Sequence, residues 1–580
     1  MHPSRLASAF ALLVVLACSR GAEPRDEPRA TRATTNAELL EVLDLALASE
    51  SAPEGLPAES WSRVRLLYGD SAAAAPLWLN ENGRVAGRAR VLVAAIDEAP
   101  VHALRSQEWP VSNAVMALDE ARGRGASDES RVRAELALSA LYVAFASDMV
   151  IGRTDPRDLD VAWFIDPGRV ELDSVLAVAA ASDELSSSLR ALAPDEAGYR
   201  ALVDAHALYR DIAADGGWPR LPEGGVISPG DTGSFVAVLR ERLAAEGFIS
   251  PREARDNDAT FDETLVAAVM DFQRRHGLAE DSLVGPETRA ALDHTAERRA
   301  AQIAANLERY RWMPFRLGDR YVMVNVPEFR LQAFDHGEQA LDMRVVVGSE
   351  LAESRTPAFA DSMSYLEFAP YWNVPKSIAE SEILPQLLDD PGYLERNDYE
   401  IVTSWNDDAE VIPVSELSID DILPDSFEYF VRQKPGPLNA LGQVKFMFPN
   451  QFSIYLHDTS AHELFDERVR AYSHGCVRVQ YPDRLAAWVL QDDPEWPAER
   501  IAEAMESGEQ LRVDLKQKVP VYLLYLTAFD RDGELQFRND LYDRDAELIA
   551  ALGGERALDE SVEELRELRR AVGLAGPSRN

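Results

Sequence analysis

The sequence predicts a multidomain α+β protein, with helical domains first and then a mainly β domain that carries a helical insertion. Three observations carry this reading. From about residue 36 to 319 apolar residues recur at three- and four-residue spacing, the period of a half-buried helix. From about residue 320 the text turns β-branched and alternating, as in RYVMVNVPEFRLQAFD, which is a strand pattern. A length of 580 residues accommodates roughly three or four domains.

The elements follow in order. Arg5 precedes an apolar stretch over residues 7–17 that is too short to span a bilayer and fits a signal-peptide core. The stretch ends in VLAC, which resembles a bacterial lipoprotein processing site. That resemblance makes residues 1–18 a signal peptide and lipobox and implies acylation of Cys18. Ser19 then suggests sorting to the outer membrane. An ordinary cleaved signal is the alternative, and either reading exports the chain. No later apolar run reads as long enough for a transmembrane helix. Residues 19–35, charged and Pro-containing, read as a flexible tether. Residues 36–225 read as a helical scaffold domain, with AELLEVLDLALAS and ESRVRAELALSALYVAFASDMVIG as its clearest helices and no catalytic constellation. Residues 226–296 form a three-helix unit: GDTGSFVAVLRERLAAEGF closed by Gly247, FDETLVAAVMDFQRRHGL closed by Gly277, and a third helix with Pro286 in its first turn. A connecting helix spans 297–319 and stops at Pro314. The β domain covers 320–545, and strand text resumes at VKFMFPNQFSIYLHD, CVRV and PVYLLYLTAFD. An acidic insertion over about 376–431, with helical pieces, reads as a lid. The tail, 555–575, reads as one exposed charged helix.

Composition narrows the function. Ninety-nine acidic residues against 59 basic ones give a formal net charge of -40. Such a surface is solvated and excludes nucleic acid as a partner, because a phosphate backbone needs a basic face.

The chemistry lies in YSHGCVRV, residues 472–479, which holds one of two cysteines in the chain. With Cys18 lipidated, Cys476 has no disulfide partner in its own chain, and an unpaired thiol in an oxidising compartment is a candidate nucleophile. A buried cysteine acting as a small hydrophobe is the alternative. His457 ends a strand 19 positions earlier. An imidazole within reach supplies the base that a thiol of pKa about 8.5 requires at neutral pH, and it can later protonate a leaving amine. Gly475 removes bulk beside the sulfur, and the amides around Gly475 and Cys476 are placed to face an oxyanion. A zinc set of His457, His474 and Cys476 is incomplete, without the second cysteine pair of structural zinc. The surroundings of a papain-type cysteine are also missing. His462 lies on a polar loop and reads as solvated.

PGPLNALGQVKFMFPNQFSIYLHDT followed by LFDERVRAYSHGCVRV resembles the active-site stretch of the L,D-transpeptidases of the large Gram-negative type. YWNVPKSIAESEILP is similar to the start of that family's lid. GDTG, AVMDFQRRHGL and VGPETRAAL resemble the three-helix peptidoglycan-binding module. The resemblance spans about residues 36–545. It implies Cys476 as nucleophile and His457 as base, with Ser473, His474 and Gly475 shaping the loop and the oxyanion hole. It places Arg478 near the donor peptide, although an arginine tying the loop down through carbonyls fits its fork of donors equally well. Tyr455, Trp372 and Asn373 are expected along the cleft. The implied reaction cross-links third-position diamino acids of peptidoglycan through a cysteine thioester, with release of D-Ala and no cofactor or metal. The same site used hydrolytically, as an L,D-carboxypeptidase or amidase, and a non-catalytic wall-binding lipoprotein are the alternatives. Peptidoglycan stem peptides are the implied partners, with other wall synthases beside them. The implied location is the periplasm, lipid-anchored. Family members are acylated by carbapenems, and the wall-binding unit is expected to be separable from the chemistry.

Overall fold

The computed structural model describes residues 37–554 and 562–574, apart from 70–74, 81, 124, 167–170, 256–258, 407–408 and 424–425. Cys18 and the tether lie outside the described residues. A helical region comes first, then a small helical unit, then a mainly β domain.

The first core is built around the helix Asp128–Ile151. Ser127 caps it by accepting the Ser130 amide, which satisfies one of the donors that every helix start leaves open. Leu136, Leu138, Leu141, Tyr142 and Phe145 bury several faces at once, as a central helix must. By length and composition this helix passes as a membrane span, contrary to the expectation that no later run does, but most of it is buried by neighbouring helices. The tail corrects a second expectation. Val562–Val572 is not an exposed helix. Leu565, Leu568, Ala571 and Val572 enter the first core, and Arg569 pairs with Asp97 at 2.5 Å. The abundance of charge in this segment masks an apolar stripe of helical period.

The helix Ala197–Ala214 shares a separate core with the connecting helix Ala296–Arg311. That connecting helix is a central strut: Glu308 accepts the Arg153 and Thr154 amides at 2.6 and 2.8 Å and pairs with Arg311 at 3.0 Å. Arg309 meets Asp545 at 2.5 Å. The three-helix unit (Ser234–Ala245, Glu263–Arg275, Pro286–Leu292) has its own core of Val236, Leu239, Leu265, Val269, Phe272 and Leu292. Asp262 caps its second helix at the Leu265 amide, 3.0 Å away.

The strands are β1 (Trp163–Phe164), β2 (Arg320–Asn325), β3 (Arg330–Asp335), β4 (Glu338–Gly348), β5 (Ala358–Phe368), β6 (Trp372–Asn373), β7 (Tyr399–Val402), β8 (Val411–Ile412), β9 (Phe430–Gln433), β10 (Val444–Met447), β11 (Leu456–His457), β12 (Ala471–Ser473), β13 (Val477–Val479), β14 (Leu511–Leu524), β15 (Ala528–Arg531) and β16 (Glu534–Phe537). The main sheet runs β1-β5-β10-β11-β13-β4-β3-β2-β14, and β14 pairs again with β5, so the sheet closes on itself. Closure leaves few edges open to a foreign strand. β1 comes from the helical region, which is thereby joined to the barrel. The insertion holds more than helical pieces: β6, β9, β7 and β8 form a small antiparallel sheet around Val374, Ile383, Leu387, Ile401 and Val431. Its strands are too short to give a readable alternation.

Candidate active site

Register builds the site. Across β5, β10, β11 and β13, Leu366 pairs with Phe446, Phe446 with Leu456, and Leu456 with Val477. All four are fully buried in the barrel core. One residue along, on the opposite face, Arg512 of β14 pairs with Glu367, Glu367 with Lys445, Lys445 with His457, and His457 with Arg478. Side chains alternate faces along a strand, so a polar row crosses the outer face beside an apolar row within. Cys476, two residues before Arg478, and Tyr455, two before His457, fall on the polar side. Parallel pairing of β11 with β13 therefore places the candidate base His457 and the candidate nucleophile Cys476 on neighbouring strands.

His457 is 4% exposed. Its Nδ1 is hydrogen-bonded to the Asp458 carbonyl at 2.5 Å. A carbonyl only accepts, so Nδ1 carries the proton and Nε2 keeps its lone pair, the tautomer a general base needs. Burial, then the positive charges of Arg478 and Lys445, push His457 down to about 3 against the pull of that carbonyl. Cys476 stays partly accessible, yet the packing around its sulfur pushes the thiol up to about 11. The Tyr455 amide and hydroxyl, Arg478 and Lys445 act the other way. The pair thus rests neutral. No hydrogen bond joins imidazole and thiol among the described residues. The thiol instead points toward the Ser453 carbonyl at 3.8 Å, and the Tyr455 and His457 rings lie edge to face at 5.6 Å.

The loop around Cys476 is tightly tied. Ser473 Oγ accepts the Gly475 amide at 3.1 Å and donates to the Cys476 carbonyl at 2.5 Å. The buried Thr356 hydroxyl donates to the Gly475 carbonyl at 2.8 Å. The Gly475 amide is therefore occupied, and the Cys476 amide makes no main-chain bond among the described residues. The reason for glycine at 475 also differs from the expectation. A Cβ there meets only ordinary contacts, but φ is +113°, which side chains rarely tolerate.

The two arginines of this stretch have opposite surroundings. Arg470, buried, donates Nε to Val345 O at 3.1 Å, Nη2 to Phe329 O at 3.0 Å and Nη1 to Glu467 O at 2.6 Å. The loop-tying role considered for Arg478 is thus filled by Arg470. Arg478 Nε is buried with no hydrogen-bond partner among the described residues.

Other expected residues are placed as follows. His474 Nε2 lies 2.7 Å from Glu382 Oε1 of the insertion. Trp372 packs in the insertion's core beside Tyr399, and Asn373 is exposed next to it. His462 has an exposed side chain. Sequence reasoning missed Lys445, whose Nζ meets Glu367 Oε2 at 2.6 Å and lies 5.9 Å from the Tyr455 ring centre. A lone lysine in VKFMF, on the strand before the histidine, was the available signal. Among the described residues no cluster of His, Cys, Asp and Glu could hold a metal ion.

Comparison with known proteins adds the family context. Residues 319–501 match the family described as "L,D-transpeptidase catalytic domain". Residues 62–205 match "Scaffold domain", and 232–292 match "Putative peptidoglycan binding domain". A "Putative L,D-transpeptidase" of Haemophilus influenzae is 33% identical over 251 residues, 43% of this chain and 49% of the relative. The amidase CwlL of Bacillus licheniformis, an N-acetylmuramoyl-L-alanine amidase, is 36% identical over 69 residues, 12% of this chain and 19% of the relative. The chain thus spans about half the length of the first relative and about a fifth of the second. A crystal structure of an L,D-transpeptidase from Xylanimonas cellulosilytica aligns over 52% of this chain and 99% of its own at 15% identity with a TM-score of 0.16. The chain carries a catalytic domain of the L,D-transpeptidase type together with a peptidoglycan-binding domain.

Proposed function

We propose that this protein is an L,D-transpeptidase that cross-links third-position diamino acids of peptidoglycan through a thioester on Cys476. The observation that carries the reading is the shared outer face of β11 and β13, with a buried imidazole whose Nε2 is free for a proton beside a partly accessible thiol.

The steps follow from these groups. A tetrapeptide stem enters with the carbonyl of its third residue at Cys476. His457 Nε2 takes the thiol proton as sulfur attacks, and the S–C bond forms. The Cys476 amide is the donor left for the oxyanion. As the C–N bond breaks, His457 returns the proton to the departing D-Ala amine. The side-chain amine of a second stem then attacks the thioester, His457 accepts its proton, and the thiol is restored. Burial holds both groups neutral at rest, so the proton leaves the thiol only in concert with sulfur attack on the bound carbonyl, not beforehand. Arg478, with a buried donor lacking a partner, supplies a counter-charge for a donor carboxylate. The insertion acts as a lid that excludes water. Export, lipidation at Cys18 and a periplasmic location belong to the same reading and rest on the apolar stretch over residues 7–17 and on VLAC; a Cys18→Ala form that still fractionates with membranes overturns the lipidation.

The test is mass spectrometry of products from a purified tetrapeptide donor with and without an amine acceptor. Cross-linked dimer with acceptor supports transfer. Free tripeptide as the sole product, with acceptor present, overturns it in favour of hydrolysis.

A further inference from the structure

The three-helix unit is not a free appendage. Arg274 and Arg275 reach Glu534 at 2.7 and 3.3 Å. His276 stacks on Phe537 with ring centres 5.3 Å apart, and Arg538 donates to the Arg275 carbonyl at 3.0 Å. A Cβ on Gly277 would lie 2.8 Å from Arg538 Cδ. These contacts fix the unit to the hairpin β15–β16. A further contact reaches the segment between base and nucleophile: Arg468 Nη2 meets the two Glu287 carboxylate oxygens at 2.9 and 2.8 Å, and its Nη1 donates to Gly277 O at 3.4 Å.

From Arg468 the contacts continue to the backbone of Cys476. Arg470 Nη1 holds the Glu467 and Arg468 carbonyls at 2.6 and 3.3 Å while its other donors hold β4 and Phe329. Ala471 and Ser473 pair with Val347 and Gly348. Ser473 then bonds both sides of the Gly475–Cys476 turn.

We infer that Arg468 and Glu287 are positioning residues, through which the docked peptidoglycan-binding unit holds the loop between His457 and Cys476 in its reactive arrangement. The inference rests on Cys476 being the nucleophile. It goes beyond wall targeting, since it makes the unit matter to chemistry on a substrate that never touches the wall. The pair is partly exposed, 38% and 63% by side chain, so its loss leaves the fold intact and acts by displacing the loop.

The experiment is a charge-reversal cycle in the full chain: Arg468→Glu, Glu287→Arg, and both together. The readout is the rate at which a carbapenem, too small to need the wall-binding unit, adds its mass to Cys476, with iodoacetamide alkylation and melting temperature measured beside it. Each single reversal is expected to slow acylation about three- to tenfold, and the double reversal to restore it within about twofold. Single variants that acylate at the parent rate overturn the inference, as does a double variant as slow as the singles. If the parent protein takes up no carbapenem, the proposed function fails instead. The cycle is then read on iodoacetamide, where equal rates in all four forms overturn the positioning claim.

Discussion

In the helical region the buried Glu135 carboxylate accepts the amides of Leu77, Trp78 and Leu79 and the Tyr68 hydroxyl, and Ser139 ties Tyr68 to the Trp78 indole. In the barrel the buried Nε of Arg478 has no hydrogen-bond partner among the described residues, and Cys476 keeps its proton up to about 11. Both clusters bury polar atoms. The first satisfies its carboxylate several times over and so fixes one arrangement of the helices. The second is less fully bonded, and under the proposed function its cation and thiol are the groups that a donor peptide meets. Buried polar groups without partners are costly.

The largest expected effect tests the barrel half of this contrast. Cys476→Ala should take up no acyl label and form no cross-links, while melting as the parent does. Retained cross-linking would end the proposed mechanism. His457→Ala should label about a hundredfold more slowly. The pH profile sharpens this. With His457 neutral down to about 3 and the thiol protonated up to about 11, general-base attack should be flat between roughly pH 5 and 9. The His457→Ala form should instead rise about tenfold per pH unit, following free thiolate. A parent profile that also rises tenfold per unit would remove His457 as the base.

The helical half is tested next. Glu135→Ala strands three buried amides and should lower stability by about 3 kcal/mol, with carbapenem labelling of the surviving folded protein unchanged. The sign with pH follows from burial, which pushes Glu135 up to about 7 despite its hydrogen bonds. A carboxyl that holds its proton more tightly when folded contributes stability fully below its ordinary value of 4.5 and loses it as pH rises through about 7. Glu135→Gln should therefore flatten the decline in unfolding free energy between those limits, as denaturant melts at stepped pH would show. An unchanged slope would mean that Glu135 is not the group responsible.

Arg478 against Arg470 repeats the contrast on one stretch. Arg478→Gln should reduce kcat/KM for a donor peptide about tenfold, the scale of one charged hydrogen bond, and leave the melting temperature alone. Arg470→Lys should instead lower the melting temperature, because an ammonium cannot span the carbonyls of Val345, Phe329 and Glu467 as the fork does, and slow the reaction only through the loop it holds. If the two variants behave alike, the division of labour between the arginines is wrong.

These assignments show where the sequence was legible. The change of period near residue 320, the three short helices of the small unit and the His–Cys pair lie in local text, and so did the fold class. What could not be read depends on register and packing. Nothing in RAYSHGCVRV says which arginine ties the loop, because that is decided by β4 and Phe329, more than a hundred residues away. Lys445 needed the β10–β11 pairing to reach His457. The closed barrel needed β14 to pair on both sides. The tail helix was hidden by its own charge, and the insertion's sheet by strands only two to four residues long.

The smallest expected effect concerns the contact between the insertion and the nucleophile loop. His474 and Glu382 meet at 2.7 Å, each about half exposed at 47% and 51%. Glu382 lies in a π-helical turn, Ala379–Ile383, a local distortion that is frequent at functional sites. An exposed pair of this kind is worth about 0–1 kcal/mol, which allows an effect of a few-fold. Glu382→Gln should therefore raise KM for a tetrapeptide donor about two- to threefold with kcat unchanged, since only the closed arrangement of the insertion is weakened. The difference from the parent should shrink at about 1 M salt, where exposed charges are screened within about 3 Å. A fall in kcat of tenfold or more would move Glu382 from the lid into the chemistry, and an effect that persists at high salt would mean that the contact is not held by charge.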